Sequence, residues 1–330
     1  MKALVTGGGG FLGGAIVRKL VARGDSVRSL ARGDYPALRQ LGVETLRGDV
    51  TDFPSVQNAA KGCDVVFHVA AKAGVWGPLA EYQQVNVAGT QHVVNACRAE
   101  GITRLVYTSS PSVVFNGRDM EGVDESAPYP KHHEAHYPAT KAEAERLALA
   151  ANGDGLAVVA LRPHLIWGPG DNHLVPRIIA KARAGRLRRI GAIPKLIDAT
   201  YVDNAADAHW LAADRLAPGS NVAGKAYFIA QDEPIPVWDL VDRILGAAGL
   251  PPVVKSVPMW AAYAAGAVCE GMYHALGRAD EPPMTRFVAR ELSTAHWFNL
   301  DAARRDLGYE PAVSTAEGIE RLRVWLSDRP

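Results

Sequence analysis

The sequence predicts an α/β protein: a doubly wound, mainly parallel sheet with a smaller substrate-binding lobe beside it. Three observations lead there. Short apolar runs alternate with helical patterns through the first half of the chain. The first run turns into a helix through Gly7, Gly10 and Gly13. Far downstream, Tyr137-Pro-Ala-Thr-Lys141 sets a phenol and an ammonium one helical turn apart.

The apolar runs at residues 3–5, 27–30, 43–46, 65–69, 105–107 and 156–161 read as strands. Residues 12–23, 54–61, 82–99 and 136–151 read as helices between them. This rhythm implies a parallel sheet covered on both faces, with its ligand crevice at the carboxyl ends of the strands. After Arg162 the rhythm breaks, and proline and glycine punctuate the chain at Pro163, Gly168-Pro169-Gly170 and Pro176. Strand-like pieces at 196–202 and 226–230 flank a helical stretch, 204–216, and are expected to return to the main sheet. The expected dinucleotide-binding domain spans residues 1–166, rejoined by 196–232. Residues 167–195 and 233–330 form the lobe.

With 330 residues, 48% of them hydrophobic, the chain can bury a large core. Its 36 basic and 35 acidic residues nearly cancel, which argues against a nucleic-acid partner. Cys63, Cys97 and Cys269 are scattered without metal-ligand spacing, so reduced thiols and no metal are expected. The N-terminus runs straight into a strand, with no charged-then-apolar signal segment; a cytoplasmic protein is expected. Residues 257–269 are apolar throughout, but Glu270 stops the run short of the ~20 residues a spanning helix needs. That stretch suits a packed helix, a cover over an apolar pocket, or contact with a membrane surface or pathway enzyme.

The glycine turn suits a dinucleotide. Gly7 permits the tight turn, Gly10 lets backbone approach the pyrophosphate, and Gly13 lets the helix pack closely. Backbone N–H groups and the helix dipole then favour the diphosphate charge. Thr6 precedes the turn, and Phe11, Leu12, Val50, Ala70 and Pro163 are expected around the same cofactor. Asp49 follows the third strand, where a carboxylate can accept from the adenine amine; Asp52 suits the cap of the next helix. At the tip of the second strand, where an NAD site carries an acid, stands Arg32. It can pair with a 2′-phosphate, favouring NADP (as NADPH) while leaving NAD possible; Asp34, beyond the tip, weighs slightly against.

Tyr137 and Lys141 share one helix face, and the ammonium is expected to pull the phenol down from its usual pKa near ~10. Ser110, ending the Thr108-Ser109-Ser110 run, is the choice to hydrogen-bond a reacting carbonyl; Ser109 and Ser112 are its neighbours in register. Asn86, on an otherwise packing-rich helix, can hold that helix against the active-site strand or order a water. Lys72, just past the fourth strand, can hold a substrate carboxylate, and His164 can line the pocket or pack beneath the lobe.

In order, these motifs resemble an extended short-chain dehydrogenase/reductase with a Rossmann-type fold: Thr6-Gly7-x-x-Gly10-x-x-Gly13, Asp49-Val50, Asn86-Val-x-Gly-Thr90, the serine strand and Tyr137-x-x-x-Lys141. The resemblance continues through Leu161-Arg-Pro-His-Leu-Ile-Trp-Gly-Pro-Gly-Asp171 to Leu307-Gly-Tyr-Glu-Pro311. Tyr107-Thr-Ser-Ser-Pro-Ser-Val113 and Leu174-Val-Pro176 are similar to the 3β-hydroxysteroid and 4-carboxysterol dehydrogenases. Ala70-Ala-Lys-Ala-Gly-Val-Trp-Gly77 and Pro282-Pro-Met-Thr-Arg286 look closer still to the bacterial 2-alkyl-3-oxoalkanoate reductases of olefin biosynthesis. The resemblance implies hydride exchange at nicotinamide C4, with Tyr137 as acid/base, Lys141 as its tuner and Ser110 as carbonyl partner.

The expected activity is NADPH-dependent reduction of a long-chain 3-oxo acid, an apolar small molecule bearing a carboxylate. The alternatives are an NAD-dependent hydroxysteroid or sterol-carboxylate dehydrogenase, a sugar-nucleotide epimerase or dehydratase, and a non-catalytic dinucleotide sensor. The apolar residues Trp260, Tyr263 and Met272 in the lobe weigh against the sugar reading. The resemblance implies that helices 82–99 and 136–151 pair across a two-fold axis, giving a homodimer; the alternative is that their apolar faces are fully used inside the chain.

Overall fold

The computed structural model describes residues 1–328. Seven parallel strands form the main sheet: β1 (Lys2–Thr6), β2 (Ser26–Ala31), β3 (Glu44–Arg47), β4 (Val65–His68), β5 (Arg104–Thr108), β6 (Ala157–Pro163) and β7 (Ala226–Ile229). Their spatial order is β7-β6-β5-β4-β1-β2-β3. The winding direction reverses between β1 and β4, which puts the ligand crevice at the carboxyl ends of those two strands.

The central strands are buried on both faces, so they read as continuous apolar runs. Alternate side chains feed two cores: Ala3 and Val5 belong to one, Leu4 to the other. The first core packs under α1 (Phe11–Ala22), the second under α2 (Phe53–Ala60), α3 (Gly89–Ala99) and α4 (His136–Ala150). A further helix, α5 (Val202–Arg215), packs beside α1.

The helix expected over 82–99 is broken in an informative way. Leu79–Tyr82 is α-helical, Gln83–Ala88 is a π-turn, and regular helix resumes at Gly89. Such a turn widens the helix locally and is common at functional sites. Asn86 sits inside it.

A second, four-stranded sheet joins Ile235–Pro236, Leu196–Ile197, His296–Phe298 and Met120–Val123. The strand expected at 196–202 pairs here rather than returning to the main sheet. Its continuation is tied across the strand ends instead: the Thr200 hydroxyl lies 2.8 Å from the His164 carbonyl and 3.0 Å from that of Ile229.

Most of the apolar run 257–269 lies in helix α6 (Met259–Ala275); Val257 ends a short strand and Pro258 is the N-cap. Trp260 and Met272, grouped in the sequence with Tyr263, are 73% and 54% exposed. The cause is Gly266: it lies so close to the Thr285–Arg286 backbone that a Cβ there would sit 2.6 Å from the Thr285 carbonyl carbon. Ala262 and Gly266 therefore turn inward, Tyr263 packs at the edge of the core, and Trp260 and Met272 face outward. Among the described residues no helix is long and apolar enough to cross a membrane.

One buried ion pair ties α4 to the sheet. Arg162 of β6 donates Nε and a terminal nitrogen to Glu145 of α4, at 2.9 and 2.7 Å. The Tyr129 hydroxyl donates to the same carboxylate at 2.6 Å. Burial opposes the charge on Glu145, yet the Arg162 hydrogen bonds and charge outweigh it and hold the carboxyl below its usual range.

Candidate active site

The glycine turn is built as an anion cradle. Gly7 adopts φ +72°, and its N–H donates to the Leu30 carbonyl at 2.8 Å. A Cβ on Gly13 would overlap the Gly7 carbonyl, so only glycine lets α1 start this close to β1. The residues present thus fit a dinucleotide diphosphate on the α1 N-terminus.

A cavity of about 610 Å³ runs from this turn along the strand ends. Gly7, Gly10, Phe11, Leu12 and Gly13 form its floor, with Asp49, Val50 and Ala70 beside them. Thr6, expected at the cofactor, lies beneath that floor and is fully buried. Its hydroxyl accepts the Val69 and Ala70 N–H groups at 3.2 Å each, so its proton goes to His68 Nδ1 at 2.8 Å. His68 Nε2–H then donates to Thr90 at 3.1 Å, and Thr90 donates to the Asn86 carbonyl at 2.6 Å. Burial, then the nearby Lys141 charge, lowers His68 to about 3, leaving a neutral relay that fixes the turn to the π-turn.

Arg32 lies on the cavity wall at the tip of β2. Asp34, the acid that weighed against NADP, forms an ion pair with Arg39. Asp49 also lines the cavity, accepting the Thr51 N–H at 3.0 Å, while Asp52 caps α2 through Ser55 at 3.2 Å.

Ser110, Tyr137 and Lys141 meet at the other end of the cavity, with Pro163 and His164. Ser110 Oγ lies 2.9 Å from Ser112 Oγ, and the Ser110 hydroxyl faces the Tyr137 phenol. Ser109 is buried and turns toward Glu145. Tyr137 behaves differently from the sequence expectation. Burial pushes its pKa up to about 12, the Ser110 hydrogen bond working against the rise and the Glu291 charge adding to it. Lys141 donates to the Thr108 carbonyl at 2.6 Å and lies 4.2 Å from the Tyr107 ring centre. Burial lowers Lys141 itself to about 7. Among the protein groups alone, desolvation and not the Lys141 ammonium therefore sets the direction of the Tyr137 shift.

Asn86 and Lys72 have no place on the cavity wall. Asn86 accepts the Lys72 N–H at 2.7 Å and donates to Thr140 of α4 at 3.1 Å, joining the post-β4 loop to the helix that carries Tyr137. It acts as a brace. The Lys72 ammonium, expected to hold a carboxylate, pairs with Glu81 at 2.7 Å. His164 places Nδ1 2.9 Å from the Asp198 carbonyl and stacks on His296 at 5.7 Å; burial lowers it to about 4.

The sequence reading missed Phe115, Phe287, Glu291 and His296, all on the wall at this end. Glu291 is the consequential one. Burial raises its carboxyl to about 7, so it changes charge near neutrality beside Tyr137. No local motif marks it; only the packing of the helix Arg286–Glu291 brings it there.

A model of the 3-beta hydroxysteroid dehydrogenase/isomerase family matches residues 4–258. The chain belongs to that family. It is 52% identical to the 2-alkyl-3-oxoalkanoate reductase of Stenotrophomonas maltophilia (strain K279a), over 98% of this chain and 99% of that one. To the protein of the same name from Shewanella oneidensis it is 49% identical, over 98% and 86%. Among solved structures, MoeE5 in complex with UDP-glucose and NAD superposes with a TM-score of 0.76 at 25% identity, covering 99% of both chains. Membership of the 3-beta hydroxysteroid dehydrogenase/isomerase family makes the chain an oxidoreductase.

Proposed function

We propose that the chain is an NADPH-dependent reductase converting the 3-oxo group of a long-chain 2-alkyl-3-oxoalkanoic acid to the 3-hydroxyl. The observation that carries this reading is the meeting of Ser110, Tyr137 and Lys141 at one end of a cavity floored by the glycine turn. The names of the two close relatives support the substrate class.

When bound, the nicotinamide supplies a hydride to C3 of the substrate. Tyr137, held protonated by burial, donates its proton to the developing alkoxide. Ser110 hydrogen-bonds the same oxygen, and one such donor is typically worth about 3–4 kcal/mol. Lys141 gives one N–H to the Thr108 carbonyl, leaving donors for the ribose hydroxyls and the proton's return path.

The test follows nicotinamide absorbance with a long-chain 2-alkyl-3-hydroxy acid and NADP⁺, with NAD⁺ and a 3β-hydroxysteroid as parallel arms. Turnover of the fatty acid with NADP⁺ supports the reading. Turnover of the steroid alone, with NAD⁺, would replace it by the dehydrogenase reading that the family description favours.

Arg32→Ala tests the cofactor preference. Losing a charge-assisted contact to a 2′-phosphate should raise KM for NADPH roughly 10- to 100-fold and leave KM for NADH within about twofold. Equal effects on both cofactors would remove Arg32 from 2′-phosphate recognition.

The pH dependence follows from Tyr137. Reduction uses the protonated phenol and should be flat in its Tyr137 dependence across neutrality. Oxidation needs the phenolate, so its kcat/KM should rise about tenfold per pH unit below that pKa. Removing the Glu291 charge should favour the phenolate, so Glu291→Gln moves the oxidative profile to lower pH. An unmoved profile would sever the coupling between these two groups.

A further inference from the structure

A second cavity, of about 570 Å³, adjoins the active-site cavity, and Val75 and Phe287 form part of both walls. It begins at Glu134, Ala135 and His136, the residues that lead directly into Tyr137. Trp76, Pro78 and Leu79 form one side and Tyr273 and His274 of α6 the other. The Trp76 ring lies 4.7 Å from that of His274, and its indole N–H donates to the Arg278 carbonyl at 3.1 Å.

The charges on this wall are already matched. Glu134 pairs with Arg290 at 2.8 Å, Glu270 with Arg286 at 2.6 Å, and Arg278 with Asp280 at 2.6 Å. An anionic or cationic ligand would find no unpaired counter-charge here, and would compete with pairs already formed. An uncharged apolar chain needs none. The first cavity, meanwhile, is lined for most of its length by the cofactor cradle, leaving only the Tyr137 end for substrate. A 2-alkyl-3-oxo acid carries two hydrocarbon chains, one on C2 and one on C3. With the 3-oxo oxygen at Tyr137 and Ser110, at least one chain must leave that end.

We infer that the second cavity is a hydrocarbon channel, entered between Val75 and Phe287, that receives one of the two alkyl chains of the substrate. The inference rests on the 3-oxo acid reading above. It makes Trp76, Leu79 and Phe287 determinants of chain-length specificity.

The experiment measures kcat/KM against chain length in the wild-type protein, lengthening the C2 chain in one substrate series and the C3 chain in another. In the series whose chain enters the channel, kcat/KM should climb about fourfold per added methylene until the cavity is filled. Leu79→Trp combined with Ala279→Trp narrows the channel and should flatten that climb at a shorter length. Trp76→Ala widens it and should move the plateau to longer chains. The series that responds identifies which chain is bound. Fluorescence titration with NADPH in each variant shows that the cofactor cradle is intact. If both variants keep the wild-type profile in both series, the channel assignment is overturned. If the wild-type protein turns over no 3-oxo or 3-hydroxy acid at any length, it is the proposed function that fails.

Discussion

Tyr137→Phe lowers turnover by about 10²- to 10⁴-fold, the usual contribution of a positioned proton donor, and leaves NADPH affinity nearly unchanged. The phenol shares the cavity wall with Ser110 and is held protonated by burial. The cradle at Gly7, Gly10 and Gly13 lies at the far end and does not depend on it. Single-turnover rates and a separate cofactor titration distinguish the two effects. Turnover within about threefold of wild type would take Tyr137 out of the mechanism and make Ser110 the first group to re-examine. Ser110→Ala provides the graded comparison: its phenol stays, and about 3–4 kcal/mol of charge stabilisation goes.

Glu145→Ala is expected to destabilise the fold by about 3–5 kcal/mol, because it leaves the Arg162 guanidinium buried without its counter-charge. The side chains of the pair are only 0% and 4% exposed, so water offers little compensation. Urea unfolding, followed by tryptophan fluorescence, measures the loss. Replacing both partners together by methionine should cost less than Glu145→Ala alone, since no orphaned charge remains. The opposite ranking would show that the pair itself, and not the avoidance of a lone charge, carries the stability. The sign of the pH dependence is also fixed. Glu145 is depressed in the folded protein, so its contribution is present above the unfolded carboxylate pKa and is lost as pH falls through the folded value. Loosening α4 also moves Tyr137 and Lys141, so activity should fall with stability in this variant.

Much of the main sheet is legible in the sequence because β1, β4, β5 and β6 are buried on both faces and so appear as unbroken apolar runs. The glycine turn and the Tyr137–Lys141 pair are legible for a related reason: both are local, set by chain geometry over a few residues. The small second sheet has strands of two to four residues, too short for periodicity to reveal. The π-turn at Gln83–Ala88 is equally silent, and the contacts of Asn86 within it, to Lys72 and Thr140, form only once the chain has folded.

The sequence by itself determined the doubly wound sheet, the glycine turn at the end of β1, the placing of Tyr137 and Lys141 on one helix face and the absence of an acid at the tip of β2. Only the tertiary structure decided the electrostatics of that pair, because burial and distant neighbours govern them. It raised Tyr137 instead of lowering it, paired Lys72 with Glu81, and brought Glu291 and Phe287 from a late helix to the cavity that Tyr137 lines. Spacing along the chain fixes which side chains share a helical face. Which charges then face one another across the cavity depends on elements that meet only after folding.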